Sequence, residues 1–196
     1  MTASHLLCVF VGILFGLSAI AKAIDSARFV NHLKRYELFP EWTLPLATLG
    51  LIGLEFGLAA MLLTFAAPYY AIQLSLGLLL AFSLFTLWGK SRKGIHDCGC
   101  YGRVARLPIE VAITFNTVAA VFLMTAFKLV ESAPIAYAEL LIGIQAGALG
   151  VFIAGRSTRK PWIDFSPLKT GKAWPPIHRD SLPLPEEPTL FFFLSP

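Results

Sequence analysis

The sequence predicts an all-α integral membrane protein, a compact bundle of four to five transmembrane helices with a short interfacial helix. Its composition is the first reason: 56% of the 196 residues are hydrophobic and only 14% are charged, whereas soluble domains carry about 25% charged residues. The second reason is that the charges are clustered, which leaves long apolar stretches between them. These observations exclude a soluble domain. The formal net charge of +4 indicates basic residues beside membrane spans rather than a nucleic-acid interface.

Five stretches reach about the 20 apolar residues that a helix needs to cross the lipid bilayer. They are residues 4–23, 44–66, 69–88, 108–130 and 134–154. The last stretch is the weakest of these predictions because Glu139 and Gln145 interrupt it. A bundle of four spans is therefore the alternative to a bundle of five.

A short amphipathic helix is predicted between the first two spans, over residues 25–38. Asp25 is a suitable N-cap, and Phe29, Leu33 and Tyr36 fall on one face of a helix that begins there. Charged residues occupy the opposite face. We expect this helix to lie in the membrane interface with its aromatic side chains at headgroup depth. A solvated loop is the alternative.

Glycines recur at GxxxG spacing inside three of the predicted spans. The pairs are Gly12 with Gly16, Gly53 with Gly57, and Gly143 with Gly147. This spacing allows helix backbones to approach each other closely, so it favours a compact bundle.

The composition changes at the end of the last span, which divides the chain into three predicted parts. Residues 1–155 form the transmembrane domain. Residues 156–188 are rich in proline, which prevents long helices and predicts an extended linker. Residues 189–196 are a short apolar, aromatic run that is typical of a buried strand.

The motif Cys98-Gly99-Cys100 carries the most informative chemistry in the sequence. Gly99 lacks a Cβ, so the two sulfurs can approach each other, and a disulfide across one residue is strained and easily reduced. His96 and Arg103 would favour a thiolate, so the motif indicates a redox-active pair. Two alternatives stay open: a site for a soft metal such as Zn²⁺ or Cu⁺, and a static local disulfide.

Polar side chains inside the spans are the next candidates. Glu55 lies in the middle of the second span, where a charge is costly and usually faces the bundle interior. Lys22, near the end of the first span, either pairs with Glu55 or extends to the interface. Asn116 in the fourth span is expected to form a hydrogen bond between helices, and Cys8 to be an inert packing residue. Glu55 has either a functional or a packing role.

At these residues the sequence resembles the MauE family of methylamine-utilisation membrane proteins, within the wider DoxX-like group. The resemblance is carried by Gly-Leu-Ser-Ala-Ile-Ala-Lys at 16–22, Leu-Glu-Phe-Gly-Leu at 54–58, Asp-Cys-Gly-Cys-Tyr-Gly at 97–102, and Asn116. It covers residues 5–154. Tyr101 stands where family members usually have Phe.

The resemblance implies a bundle like the membrane domain of vitamin K epoxide reductase, with Cys98 and Cys100 as its reactive thiols. It also implies a membrane-bound thiol–disulfide redox protein that supports maturation, by disulfide formation, of a partner such as methylamine dehydrogenase, whose small subunit carries several disulfides. A thioredoxin-like protein, MauD, would act with it. The tail at 191–196 resembles the strand before a thioredoxin-type Cys-x-x-Cys, which suggests a MauE–thioredoxin-like fusion. A quinone within the bundle could accept the electrons, although no residue pattern specifies it.

Sidedness leaves two answers, and function class leaves three. With five spans, the Cys loop and the tail lie on the side that carries nearly all Lys and Arg, which the positive-inside rule places in the cytoplasm. Disulfide chemistry and the resemblance place that side outside a bacterial inner membrane, and this is our expectation. The rival functions are a non-enzymatic assembly factor or scaffold, and a transporter of a small solute or metal that uses Glu55 and the Cys loop.

Overall fold

A computed structural model describes residues 2–38, 40–98, 107–131 and 136–159. Within these ranges the chain is helical apart from short connections. The helices are α1 (Ala3–Ile24), α2 (Ser26–Lys34), α3 (Leu44–Thr64), α4 (Pro68–Lys93), α5 (Ile109–Phe127) and α6 (Tyr137–Arg159), and a 3₁₀ turn (Glu41–Thr43) precedes α3. The helical fold class is therefore confirmed.

Five of these helices, α1 and α3 to α6, are long and apolar enough to cross a membrane, as the sequence predicts. Two of them extend well past their predicted C-terminal ends. α4 continues past Trp88 to Lys93, because Gly94 is the first residue that ends it, with φ +62°. α6 continues to Arg159, into the first residues of the predicted linker. The remainder of that linker and the predicted strand at 189–196 lie outside the described residues.

A three-residue connection joins α3 to α4. Phe65 and Ala67 both adopt left-handed backbone conformations, with φ +57° and +41°, and Pro68 opens α4, where its missing N–H costs nothing. So short a link forces the two helices into an antiparallel hairpin.

α2 is the predicted amphipathic helix, begun by an Asp25 side chain that accepts a hydrogen bond from the Arg28 N–H at 3.3 Å. The predicted apolar face of this helix packs against the rest of the bundle. Phe29 and Leu33 are buried against Leu44, while Tyr36, just after the helix, is fully buried. The protein itself covers these side chains, and the placement of α2 at headgroup depth stays a prediction.

Tyr36 is buried because its ring packs against α4. The Tyr36 ring stacks on Phe85 with 4.0 Å between ring centroids. Gly89 lies where a Cβ would collide with the same ring. The absence of a side chain at Gly89 therefore gives Tyr36 its place against the bundle.

The glycine pairs of α3 and α6 face one another. A Cβ on Gly57 would lie 2.9 Å from the Gly143 carbonyl oxygen, and a Cβ on Gly147 would lie 2.9 Å from that of Gly53. Only hydrogen fits at such distances, so the two backbones touch directly. Gly12 of α1 instead meets side chains of α3, since a Cβ there would lie 3.0 Å from Leu63 Cγ. The compact packing predicted from these pairs is confirmed.

Candidate functional site

Two backbone hydrogen bonds hold Cys98 beside the start of α5. The Cys98 N–H donates to the Leu107 carbonyl at 3.4 Å, and the Ile109 N–H donates to the His96 carbonyl at 3.2 Å. The left-handed conformation of Gly94 at the end of α4 turns the chain towards this contact. Cys98 is thereby fixed to the rigid helical bundle, while residues 99–106, including Cys100 and Arg103, lie outside the described residues.

Cys98 is buried, with 5% of its surface exposed, and it lines a cavity of about 270 Å³. Most of the lining is apolar and aromatic: it includes Leu51, Phe82 and Phe85. The polar lining residues are few and include Lys22, His32 and Thr86. Cys98, His32 and Lys22 therefore line the same largely apolar cavity, which we call the chamber.

His32 is the residue that the sequence analysis did not single out. It lies on α2, and its Nδ1 is 3.6 Å from the Asp97 carboxylate, which also forms an ion pair with Arg35 at 3.2 Å. His32 is only 9% exposed. Its Nε2 is buried and has no hydrogen-bond partner within the described part of the chain. The Nδ1 atom of the imidazole thus faces the Asp97 carboxylate, whereas Nε2 has no hydrogen-bond partner among the described residues.

The charge state of His32 follows from its surroundings. Burial lowers the pKa of the imidazole below its ordinary value, because the charged form loses its hydration. The Asp97 carboxylate and the backbone of Cys98 act in the opposite direction, and the nearby Arg35 adds to the lowering. The net direction is downward, so the ring is neutral at pH 7 and can accept a proton.

This lowered pKa predicts how stability depends on pH. An ordinary histidine titrates near pH 6.5, so as the pH falls below that value the unfolded chain binds a proton that the folded protein resists, and stability declines. We expect thermal unfolding to show a falling midpoint between about pH 7 and pH 5. The fall should be less steep in His32→Gln, which has no imidazole. Equal slopes in the two proteins would contradict this assignment.

His96, the histidine that the sequence favours as a neighbour of the thiols, has an exposed side chain and does not line the cavity. The histidine that lines the cavity with Cys98 is His32, which comes from a separate helix. A weak signal existed in the sequence: His32 directly precedes Leu33 on the face of α2 that carries Phe29, where a polar residue would be buried.

Lys22 and Glu55 form a buried ion pair, which decides between the two interpretations of Lys22. Its Nζ lies 2.7 and 2.8 Å from the two carboxylate oxygens of Glu55, and both side chains are fully buried. Ser18 accepts a further hydrogen bond from Lys22 at 2.6 Å. The rings of Phe29 and Phe82 lie 5.5 and 5.3 Å from the ammonium group. The pair therefore joins α1 to α3 inside the membrane.

The ion pair separates two cavities. Lys22 lines the large chamber that contains Cys98, whereas Glu55 lines a smaller one of about 40 Å³ together with Ser18 and Asn116. Asn116 also donates a hydrogen bond to the Ser83 hydroxyl at 3.2 Å, which is the interhelical contact that the sequence predicts.

The two described cysteines differ in whether basic side chains lie near them. Cys8 is fully buried in the main apolar cluster of the bundle, in agreement with its predicted packing role. Among the described residues no group of three or more His, Cys, Asp or Glu side chains could hold a metal ion. The metal alternative of the sequence analysis depends on Cys100, which lies outside them.

Comparison with protein families gives one match, and it covers residues 1–130. The matching model is described as methylamine utilisation protein MauE. The match includes α1 to α5 and every residue of the cavity and ion pair discussed above. Comparisons with curated proteins and with solved structures found no match, so the expected likeness to the vitamin K epoxide reductase membrane domain stays a prediction.

Proposed function

The chain belongs to the MauE family and has a role in methylamine utilisation, and from this premise we propose that it is a membrane-bound thiol–disulfide redox protein. Its reactive pair is Cys98 and Cys100. It supports disulfide formation in a partner such as methylamine dehydrogenase, and it exchanges disulfides with a thioredoxin-like protein or domain.

The observation that carries this proposal is the placement of Cys98. A cysteine that only packs has apolar neighbours, as Cys8 does. Cys98 instead shares its chamber with the imidazole of His32 and the ammonium group of Lys22. A basic side chain beside a cysteine can promote formation of its thiolate, and thiolate is both the attacking and the leaving species in disulfide exchange.

The exchange proceeds through a mixed disulfide. A partner thiolate attacks the Cys98–Cys100 disulfide, and one of these sulfurs leaves as a thiolate. A second partner thiolate then attacks the mixed disulfide and releases the other sulfur. The partner gains a disulfide, the Cys98–Cys100 pair becomes a dithiol, and two electrons must pass to a further acceptor.

A quinone is one candidate for that acceptor, and the chamber fits such a ring. Its walls are apolar and aromatic, with Phe82 and Phe85 placed to contact a flat ring and Lys22 as a polar group. A bound quinone would supply a two-electron oxidant. The chain itself contributes the apolar enclosure, which limits access of water to the Cys98 thiol.

The proposal places the Cys98 end of the bundle on the oxidising side of a bacterial inner membrane. Several basic residues at this end are neutralised by acidic partners. Lys34 pairs with Glu41 at 2.8 Å, Arg35 with Asp97, and Lys93 with Glu37. These contacts reduce the positive charge of the end that must face outward.

Thiol trapping in intact cells tests the proposal. A membrane-impermeant alkylating reagent should label Cys98 and Cys100 only after reduction, which is the result for an external disulfide. In parallel, Cys98→Ser and Cys100→Ser should abolish disulfide formation in the methylamine dehydrogenase small subunit, whereas the control Cys8→Ser should leave it intact.

Two results would overturn the proposal. Labelling that requires permeabilised membranes but no reduction would identify a cytoplasmic dithiol. Normal maturation of the partner in the absence of both cysteines would indicate a scaffold, since the remaining bundle would then be sufficient for function.

A further inference from the structure

We infer that His32 takes up the proton of the Cys98 thiol and returns it during disulfide exchange. The inference rests on the proposed thiol–disulfide function and adds a residue that the cysteine motif does not contain. It assigns this task to α2, a helix outside the membrane spans, rather than to the neighbouring His96.

Geometry is the first argument. His32 and Cys98 line the same chamber, and the Nε2 of His32 is buried without a hydrogen-bond partner among the residues that the structure describes. A buried polar nitrogen left without a partner normally costs about 1–3 kcal/mol. An unpaired buried group in a native protein calls for an explanation, and a catalytic role is one such explanation.

The second argument is the arrangement of charge around the ring. Asp97, directly before Cys98 in the chain, places its carboxylate 3.6 Å from Nδ1, where it stabilises an imidazolium. Arg35 pairs with that carboxylate and limits its effect. Both the base and its orienting carboxylate are therefore fixed relative to Cys98.

The charged or titratable groups around His32 come from three parts of the chain. α1 contributes Lys22 across the chamber, and the segment after α4 contributes Asp97 and Cys98. α2 and the turn after it contribute Arg28, Arg35 and Tyr36, whose ring centroid is 5.5 Å from that of His32. Burial is the largest influence and keeps the free imidazole neutral, as a proton acceptor must be.

The proposed step balances as follows. In a mixed disulfide between Cys100 and a partner cysteine, the Cys98 S–H proton passes to His32 Nε2. The Cys98 thiolate attacks the Cys100 sulfur and forms the Cys98–Cys100 bond. The bond from Cys100 to the partner breaks, and the partner sulfur leaves as a thiolate that takes a proton from water. In the reverse direction, His32 returns its proton to the Cys98 thiolate as that sulfur leaves.

The test measures the reactivity of Cys98 alone. The variant Cys8→Ala/Cys100→Ser contains one cysteine, and the probe is the small reagent N-ethylmaleimide because the Cys98 thiol is buried. The alkylation rate as a function of pH gives the apparent pKa of that thiol. Adding His32→Gln should raise this value by about one unit, which lowers the rate at neutral pH about tenfold.

Three further variants distinguish proton transfer from a structural role. Asp97→Asn should shift the profile in the same direction by a smaller amount, because it acts through His32 and lies at the surface. His5→Gln, a histidine in the first turn of α1 stacked on Phe65, should leave the profile unchanged. Imidazole added to His32→Ala should restore part of the lost rate, whereas a packing defect would not respond.

An unchanged pH profile in His32→Gln would overturn the inference, as would a shift in His96→Gln of the size predicted for His32. Neither result would affect the proposed function, which depends on the cysteines themselves. Conversely, if the cysteine variants mature the partner normally, the proposed function fails irrespective of the alkylation profile.

Discussion

Replacing Lys22 by methionine is expected to destabilise the bundle by about 3–5 kcal/mol, the usual cost of removing one partner from a buried ion pair. Glu55 would then remain fully buried and lose both short contacts to Nζ. Ser18, at 3.5 Å from the Glu55 carboxylate, is too weak a donor to replace an ammonium group. The substitution also removes the contacts of the ammonium group with the rings of Phe29 and Phe82, while methionine keeps an apolar side chain of similar length.

Thermal unfolding of the purified protein in a mild detergent measures this effect, and a double-mutant cycle separates its origins. Glu55→Leu alone should also be destabilising, because Lys22 would be left as an unpaired buried cation. The double variant Lys22→Met/Glu55→Leu should recover most of the lost stability, since an apolar pair is often no worse than a buried ion pair. Additive losses in the double variant would show that the two side chains stabilise the fold independently.

Replacing Gly147 by valine is expected to separate α6 from α3. The new Cβ would lie 2.9 Å from the Gly53 carbonyl oxygen, and a backbone atom cannot move away without shifting its helix. Overpacking commonly costs about 1–3 kcal/mol, and we expect a value at the upper end because backbone, not a flexible side chain, opposes the methyl groups. Unfolding in increasing concentrations of a denaturing detergent should show the loss.

Gly77→Val is the matched control for this experiment. Gly77 lies inside α4, and a Cβ placed there meets no other atom within 4 Å. Both variants introduce the same β-branched residue into a membrane helix, so the difference between them isolates the α3–α6 contact. If both variants lose the same stability, helix propensity rather than close packing is responsible.

The features that depend on local sequence could be predicted well. Five apolar stretches gave the five spans because length and hydropathy alone decide whether a helix fits a bilayer. The glycine pairs predicted close packing because a missing Cβ has a direct steric meaning. Their pairing, with Gly53 and Gly57 facing Gly143 and Gly147, required the tertiary structure.

Contacts between distant segments were harder to predict. Periodicity showed that α2 has an apolar face, but only the structure shows that protein covers this face, since a pattern does not say which surface it meets. The same reason explains His32. Its place beside Cys98 depends on how α2 packs against α4, whereas proximity in the sequence favoured the exposed His96.

The Lys22–Glu55 contact also bears on how the protein enters its membrane. A charged residue makes insertion of a span by the translocon less favourable, by about 2.5–3.5 kcal/mol at the centre of the span, where Glu55 lies, and by less near its end, where Lys22 lies. These two residues lie 33 positions apart, so α1 is synthesised before the acid that neutralises its lysine. We therefore expect α1 to enter the lipid together with α3, because Glu55 then neutralises the charge of Lys22. The ion pair then influences the order in which α1 and α3 insert, as well as their final positions in the bundle.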